Sequence, residues 1–454
     1  MQIFSVRRAV LAGAALALIP ALAQAANPAT TGAGANSDSL TYDGVTLYGV
    51  VDVGGAYQSH GVKLSNYFPP GLEYVVSKNS GGSLASLAPN ALSQSKVGLK
   101  ASEPITGDIS LVAQVETQFV PTSLKLADAL KSLTTNNGRA LADQSANGDS
   151  SKTGQVFAGQ AWVGFASRQF GTLTYGRVYS LFLDDVLAYD PMNAAHAFSV
   201  VGYQGAAQAG ASTEDARLDG AVKYALTEGP VHVVGVYEVG NGDRPSTRAY
   251  QADIGYVLKN GSIDLTYGHV SDSVSAGTLT AAQVLTAPAN SISATVSDNN
   301  AIGVFARYSV MPKFKVFFGY EMINYANPKD PLVAGNETIG GYAIGVVNNA
   351  AYPRDRRLDY VWAGARYTLT PRIDLTLAYY EADQNSYGLT SCSNSSSSKC
   401  SGRLQALSTL VVFKLVKRWD LYAGAMYSRA FDGLANGYLH NTSVDPTAGV
   451  RFTF

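Results

Sequence analysis

From Val45 onward, apolar and polar residues alternate along the chain with a period of two. In VTLYGVVDVGGAY, Leu47, Gly49, Val51, Val53 and Tyr57 share one parity, while Tyr48, Asp52 and Gly54 share the other. Successive strand residues point to opposite faces, so this pattern describes a strand with one apolar side and one mixed side. The same alternation recurs in KVGLKA, where Val97 and Leu99 oppose Lys96, Gly98 and Lys100. In a later segment Phe314, Val316, Phe318 and Tyr320 oppose Lys313, Lys315 and Glu321.

About sixteen such segments follow one another: 45–57, 95–102, 108–119, 156–167, 171–179, 217–226, 231–239, 248–258, 262–270, 301–310, 313–323, 357–369, 372–382, 403–415, 418–429 and 447–454. Short turns such as Glu228-Gly229-Pro230, Lys259-Asn260-Gly261 and Thr370-Pro371-Arg372 alternate with long polar connections such as 77–93, 271–299 and 324–356. Gly and Pro supply the turn dihedrals of hairpins. A soluble β-sandwich would carry Lys, Glu and Thr on its outward face, whereas these segments carry Val, Leu and Tyr. An apolar outside and a polar inside describe a barrel in a membrane. There, every backbone N–H and C=O must be paired within the sheet, and closure removes the costly edge. Sixteen strands enclose more space than side chains fill, so the pattern predicts an aqueous channel. Tyr175, Tyr224, Tyr256, Tyr308, Tyr367 and Trp419 near strand ends suit interfacial girdles.

Composition narrows the alternatives. Charged residues make up 15% of 454, Lys+Arg numbers 33 against 34 Asp+Glu, and 46% of residues are hydrophobic. This excludes a basic nucleic-acid binder, and no nucleic-acid partner is expected. Residues 1–25 read as a secretory signal, with Arg7-Arg8, an apolar stretch from Ala9 to Leu22, and Ala23-Gln24-Ala25 as the cleavage pattern. Residues 26–44 read as a flexible leader, and 45–454 as the barrel domain. Cys392 and Cys400, in SCSNSSSSKC, are expected to close a disulfide in an oxidising compartment.

Several stretches are similar to the Gram-negative trimeric general-diffusion porins, in particular their β-proteobacterial branch. They are VTLYGVVDVG (45–54), KVGLKASE (96–103), GQAWVGF (159–165), FGTLTYGRVY (170–179), RLDGAVKY (217–224), KRWDLYAGAMYS (417–428) and DPTAGVRFTF (445–454). The resemblance implies an all-β, sixteen-stranded antiparallel transmembrane barrel with an inward-folded constriction loop, here roughly 180–216. It also implies a homotrimer in the outer membrane, in contact with lipid and lipopolysaccharide, that passes small hydrophilic solutes and ions. Phe454 resembles the family's assembly signal, read by the barrel assembly machinery during insertion.

In such porins acids on the inward loop face a basic ladder on the opposite wall. The resemblance implies Asp184, Asp185, Asp190, Glu214 and Asp215 as the acids, with His196 on the same loop. Strand parity turns Lys96, Lys100, Arg217 and Lys223 inward as the ladder, together with Arg451 on the last strand. The chain departs from the family at Gly159, where an Arg usually precedes Gln-Ala, and this weakens the implied anion preference. The long second outward loop includes TSLKLADALKSL (122–133), which predicts a short amphipathic helix. In the family this loop latches onto a neighbouring subunit, and Arg177 stands where such a latch docks. Modest charge selectivity is expected, with a substrate-specific channel as the alternative. No cofactor, metal or catalytic group is expected: the five histidines are scattered, and no GxSxG, HExxH or Walker sequence occurs.

Overall fold

The computed structural model describes residues 40–147, 156–202, 216–239 and 248–454. The signal and most of the leader lie outside these residues. Sixteen long antiparallel strands carry the fold: β1 (Val45–Gln58), β2 (Lys96–Thr106), β3 (Ile109–Val120), β4 (Ala161–Ser167), β5 (Gly171–Tyr179), β6 (Arg217–Glu228), β7 (Val231–Glu238), β8 (Arg248–Leu258), β9 (Gly261–Gly277), β10 (Ser291–Met311), β11 (Phe314–Ala326), β12 (Arg356–Thr370), β13 (Ile373–Gln384), β14 (Gly402–Val416), β15 (Trp419–Asp432) and β16 (Thr442–Thr453). Each pairs with the next, and β1 pairs with β16 from Val50↔Thr453 to Ala56↔Thr447, which closes the ring. Among the described residues no helix is long and apolar enough to cross a membrane, so the crossing elements are strands.

The expected alternation holds on the outer surface. Leu99, Phe165, Ile254, Leu265, Phe318 and Leu421 are exposed on the isolated chain, as are all six residues assigned to the girdles. Several boundaries move. β4 begins at Ala161 rather than 156, because only Ala161–Ala166 find partners on β3. β9 and β10 run to Gly277 and back from Ser291, well beyond the segments read from alternation, and extend the wall on the long-loop side. Leu40–Tyr42, at the end of the segment read as leader, pairs with Val45–Leu47.

A uniformly flooded interior is not what the strands enclose. The first outward loop (59–95) and the third fold against lumen-facing aromatics of β10 to β15 and build one apolar core inside the ring. Phe68, Leu72, Tyr74, Phe182, Phe198 and Trp362 are all essentially inaccessible in this core. Burying each such side chain contributes roughly 1.5–3 kcal/mol, enough together to hold a loop that is tethered at both ends. The first loop is fixed at its return by Asp52 on β1, whose Oδ2 accepts from the backbone N–H of Leu92 (2.7 Å) and Ser93 (2.6 Å). Asp52 Oδ1 accepts from the Tyr422 hydroxyl at 2.6 Å. These strands alternate as expected, but their inner face is apolar because protein rather than water meets it.

The second outward loop carries a helix, α1 (Ala129–Asn136), that starts later than TSLKLADALKSL suggests. Asp128 caps it by accepting from Lys131 N–H at 3.0 Å, and residues 125–126 pair with Phe119–Val120 instead of coiling. Leu130 and Leu133 pack with Val274, Ile292 and Ile344. Those partners belong to β9, β10 and the loop after β11, nearly half-way round the ring from β3 and β4. The loop therefore reaches across the outer mouth to its own far wall.

Candidate functional site

The functional surface of a closed barrel is its lumen, so the site is built from inward-facing positions. Lys96 and Lys100 stand opposite Val50 and Thr46 of β1, on the lumen face of β2. Lys100 lies over the Tyr48 ring at 4.9 Å. Arg217, at the start of β6, stacks over Tyr179 at 5.1 Å; its Nε and Nη1 meet no protein acceptor among the described residues. All three line a cavity of about 1400 Å³ at the short-turn end of the ring.

The far wall adds what parity in single segments had not collected. Arg307, Lys315, Arg366, Lys414 and Arg451 line the same space, joined by Lys259, Arg372, Lys417 and Arg418 from the short turns. Twelve Lys and Arg side chains thus face two carboxylates, Asp374 and Asp420, among the described residues. Those two are engaged: Asp374 Oδ2 lies 3.0 Å from Lys414 Nζ, and Asp420 Oδ2 lies 2.6 Å from Arg451 Nη2. Arg366 donates to Pro191 O at 2.5 Å and stacks on Phe317, which fixes its guanidinium under the third loop.

The loop acids are placed differently from the implied eyelet. The third loop runs into a helix, α2 (Leu181–Tyr189), capped by Ser180 and packed against lumen-facing residues of β8 to β12. None of its described acids lines the cavity. Asp184 pairs with Lys223, which removes both from the open space; burial raises the Asp184 carboxyl and the lysine offsets part of that rise. Asp185 accepts from the Thr266 hydroxyl at 2.5 Å on the wall. Asp190 ends α2, accepting from the Tyr380 hydroxyl at 2.6 Å and from Ala194 N–H at 2.7 Å, and burial raises it as well. Glu214 and Asp215 lie outside the described residues. His196 approaches Asn90 O at 3.0 Å through Nδ1 and sits against the first loop. The reason is desolvation: a loop embedded in an apolar core pairs its described charges with the wall rather than with the cavity.

An acid of the wall also escaped the sequence reading. Glu116, on the lumen face of β3, binds Lys96 Nζ at 2.9 Å and accepts from the hydroxyls of Tyr48 (3.1 Å) and Tyr179 (3.2 Å). A Cβ on Gly159 would overlap the Glu116 carboxylate, so the glycine that replaces the family's arginine also makes room for this acid. The signal was present: Glu116 shares its parity with Gln114 and Gln118, both buried inside.

Arg177 is buried and engages Asp219 and, at 3.2 Å, Ala158 O within its own chain. Cys392 and Cys400 form the expected disulfide, with Cα atoms 4.9 Å apart, in the loop between β13 and β14. Phe454 exchanges two backbone hydrogen bonds with Gly49, at 2.9 and 3.0 Å, and stacks on Phe452.

Comparison with known proteins agrees with this architecture. A family model described as Gram-negative porin matches residues 12–433. An anion-selective porin from Comamonas acidovorans superposes with a TM-score of 0.58 at 15% identity, covering 90% of this chain and 99% of that one. OmpT, an outer membrane protein of Vibrio cholerae, in its trimer form gives 0.54 at 12% identity over 90% and 99%. The outer membrane channel DcaP of Acinetobacter baumannii gives 0.52 at 14% identity over 93% and 100%. No curated protein matches the sequence.

Proposed function

Because this chain belongs to the Gram-negative porin family and is an outer-membrane channel for passive diffusion, we propose that it selects small anionic solutes. The carrying observation is the cavity of twelve basic side chains against two engaged carboxylates. A unit charge about 8 Å from a passing ion contributes roughly 0.5 kcal/mol at water-like dielectric. Several charges on one wall therefore favour anions several-fold, less at high salt. Lys100 and Arg217 carry this on one wall, with Arg307, Lys315 and Arg366 on the other. Lys96 is offset by Glu116, and none of the described loop acids adds a transverse field to the cavity. The solved anion-selective porin supports the same direction by likeness of fold. The reversal potential of the unmodified protein in a potassium chloride gradient tests the reading: an anion-permeable sign is expected, and a cation-permeable sign sinks it.

The loops packed in the outer half favour the narrower alternative, a channel with a saturable preference. Swelling rates of loaded liposomes that follow solute size smoothly would reject that alternative. The working form is a homotrimer in contact with outer-membrane lipid and lipopolysaccharide. Residues 1–25 direct export, and Phe454 serves the barrel assembly machinery.

A further inference from the structure

Behind α2, away from the basic cavity, the wall holds a second polar cluster. His232 on β7, Gly255 on β8 and Asp264 on β9 lie in direct register across three neighbouring strands. Asp253 projects two residues before Gly255. A Cβ on Gly255 would overlap both the His232 imidazole and the Asp264 carboxylate, so glycine is what lets the two side chains converge over the middle strand. His232 Nε2 lies 3.1 Å from Asp264 Oδ1 and 3.5 Å from Asp253 Oδ1, and the three atoms fall within 4.8 Å of one another.

Two features mark this as more than an ion pair. Asp264 is 7% exposed, and its Oδ1 faces the His232 imidazole at 3.1 Å without reaching full hydrogen-bond geometry. The charges also do not balance. Lys223 is taken by Asp184, which leaves Asp185, Asp253 and Asp264 beside one histidine. Thr266 has a single hydroxyl proton between Asp185 Oδ2 (2.5 Å) and Asp253 Oδ2 (3.0 Å). Arg307, which stands opposite Ser262 on β10, is directed to Ser262 Oγ (3.1 Å) and Ala188 O (3.5 Å). Buried carboxylates in such excess are relieved either by a proton or by a bound cation, and an imidazole converging on two of them supplies a donor set for the latter.

We propose that His232, Asp253 and Asp264 form a binding site for a divalent transition-metal ion of the zinc class. One imidazole nitrogen with two carboxylate oxygens suits such an ion rather than Mg²⁺ or Ca²⁺, which take oxygen donors. Ligands about 2.05 Å from a tetrahedral zinc stand about 3.3 Å apart, close to the two separations found here. Thr266 orients Asp253 as an outer partner and couples the site to Asp185 on α2, so the ion would tie the third loop to the wall.

Zinc chloride is titrated into the EDTA-stripped, detergent-purified protein against a chromogenic chelator, with zinc content measured after dialysis. One zinc per chain is expected. His232→Gln and Asp264→Asn should each weaken binding by about tenfold or more, and His440→Ala, in the stacked His60–His440 pair, should leave it unchanged. Circular dichroism confirms the barrel of each variant, and Asp253→Asn replaces any that fails, with the same loss required. No retained zinc, retention in His232→Gln and the carboxylate variants equal to that of the unmodified protein, or loss only in His440→Ala would overturn the site.

Discussion

The two ends of the same barrel are built from strands with one alternation and yet have opposite interiors. Toward the long loops, inward positions of β10 to β14 carry Ala301, Tyr325, Tyr360, Tyr380 and Leu404, and two loops pack on this face to form a dry core. Toward the short turns, the same strands carry Arg307, Lys315, Arg366 and Lys414, and the space stays open. The comparison teaches that a barrel's lumen is not one environment. Each strand changes the character of its inner face along its length, and the loops follow the apolar part. On the proposed reading, passage is limited by the packed end and selected by the charged end.

That division can be broken from either side. Replacing Tyr67–Val76 of the first loop by a short Gly-Ser linker removes much of the packing and should raise single-channel conductance several-fold. Unchanged conductance would show that the packed half lies off the conducting route. Trp362→Ala leaves a hole beneath α2, where the indole meets Phe305 at 5.6 Å and donates to Tyr189 O at 3.2 Å. It should cost about 3–5 kcal/mol, read as earlier proteolysis of the third loop, with wild-type resistance as the refuting result.

The packed end should also respond to pH. Burial raises Glu73, in the first loop, to about 7, against hydrogen bonds from Ser77 and the Asn147 backbone that lower it. Between the ordinary glutamate value and about 7 the packed state holds a proton that the released loop gives up. Its stability therefore falls as pH rises through that window, by at most roughly 1.4 kcal/mol per pH unit. Conductance should climb from pH 5 to 8, and Glu73→Gln should flatten the climb; an equally steep profile in the variant would reject this assignment.

Selectivity changes sharpen the charged end. Arg217→Glu changes the wall by two charges, about 1 kcal/mol at 8 Å, and should move the reversal potential several-fold in permeability ratio toward cations. No movement would remove Arg217 from the pore. The smallest effect belongs to Glu116→Gln, which releases Lys96 and should favour anions by about twofold. A shift toward cations instead would mean that Glu116 does not neutralise Lys96.

Much of this protein was legible as period-two alternation, because lipid outside and closure of the sheet constrain every strand locally. That local rule gave the sixteen strands, the short turns and the outward girdle from Tyr175 to Trp419. It also turned Lys96 and Lys100 inward. The partners of the inward charges were not legible. Whether Lys223 faces solute or Asp184, and whether Lys96 is bare or held by Glu116, depends on residues dozens of positions away brought together by ring closure and loop entry. The filling of the outer half was equally hidden, since Trp362 and Tyr74 read singly as strand and loop residues. Only the tertiary structure decided which inner faces are dry, because burial is a property of what packs opposite a residue and not of the residue itself.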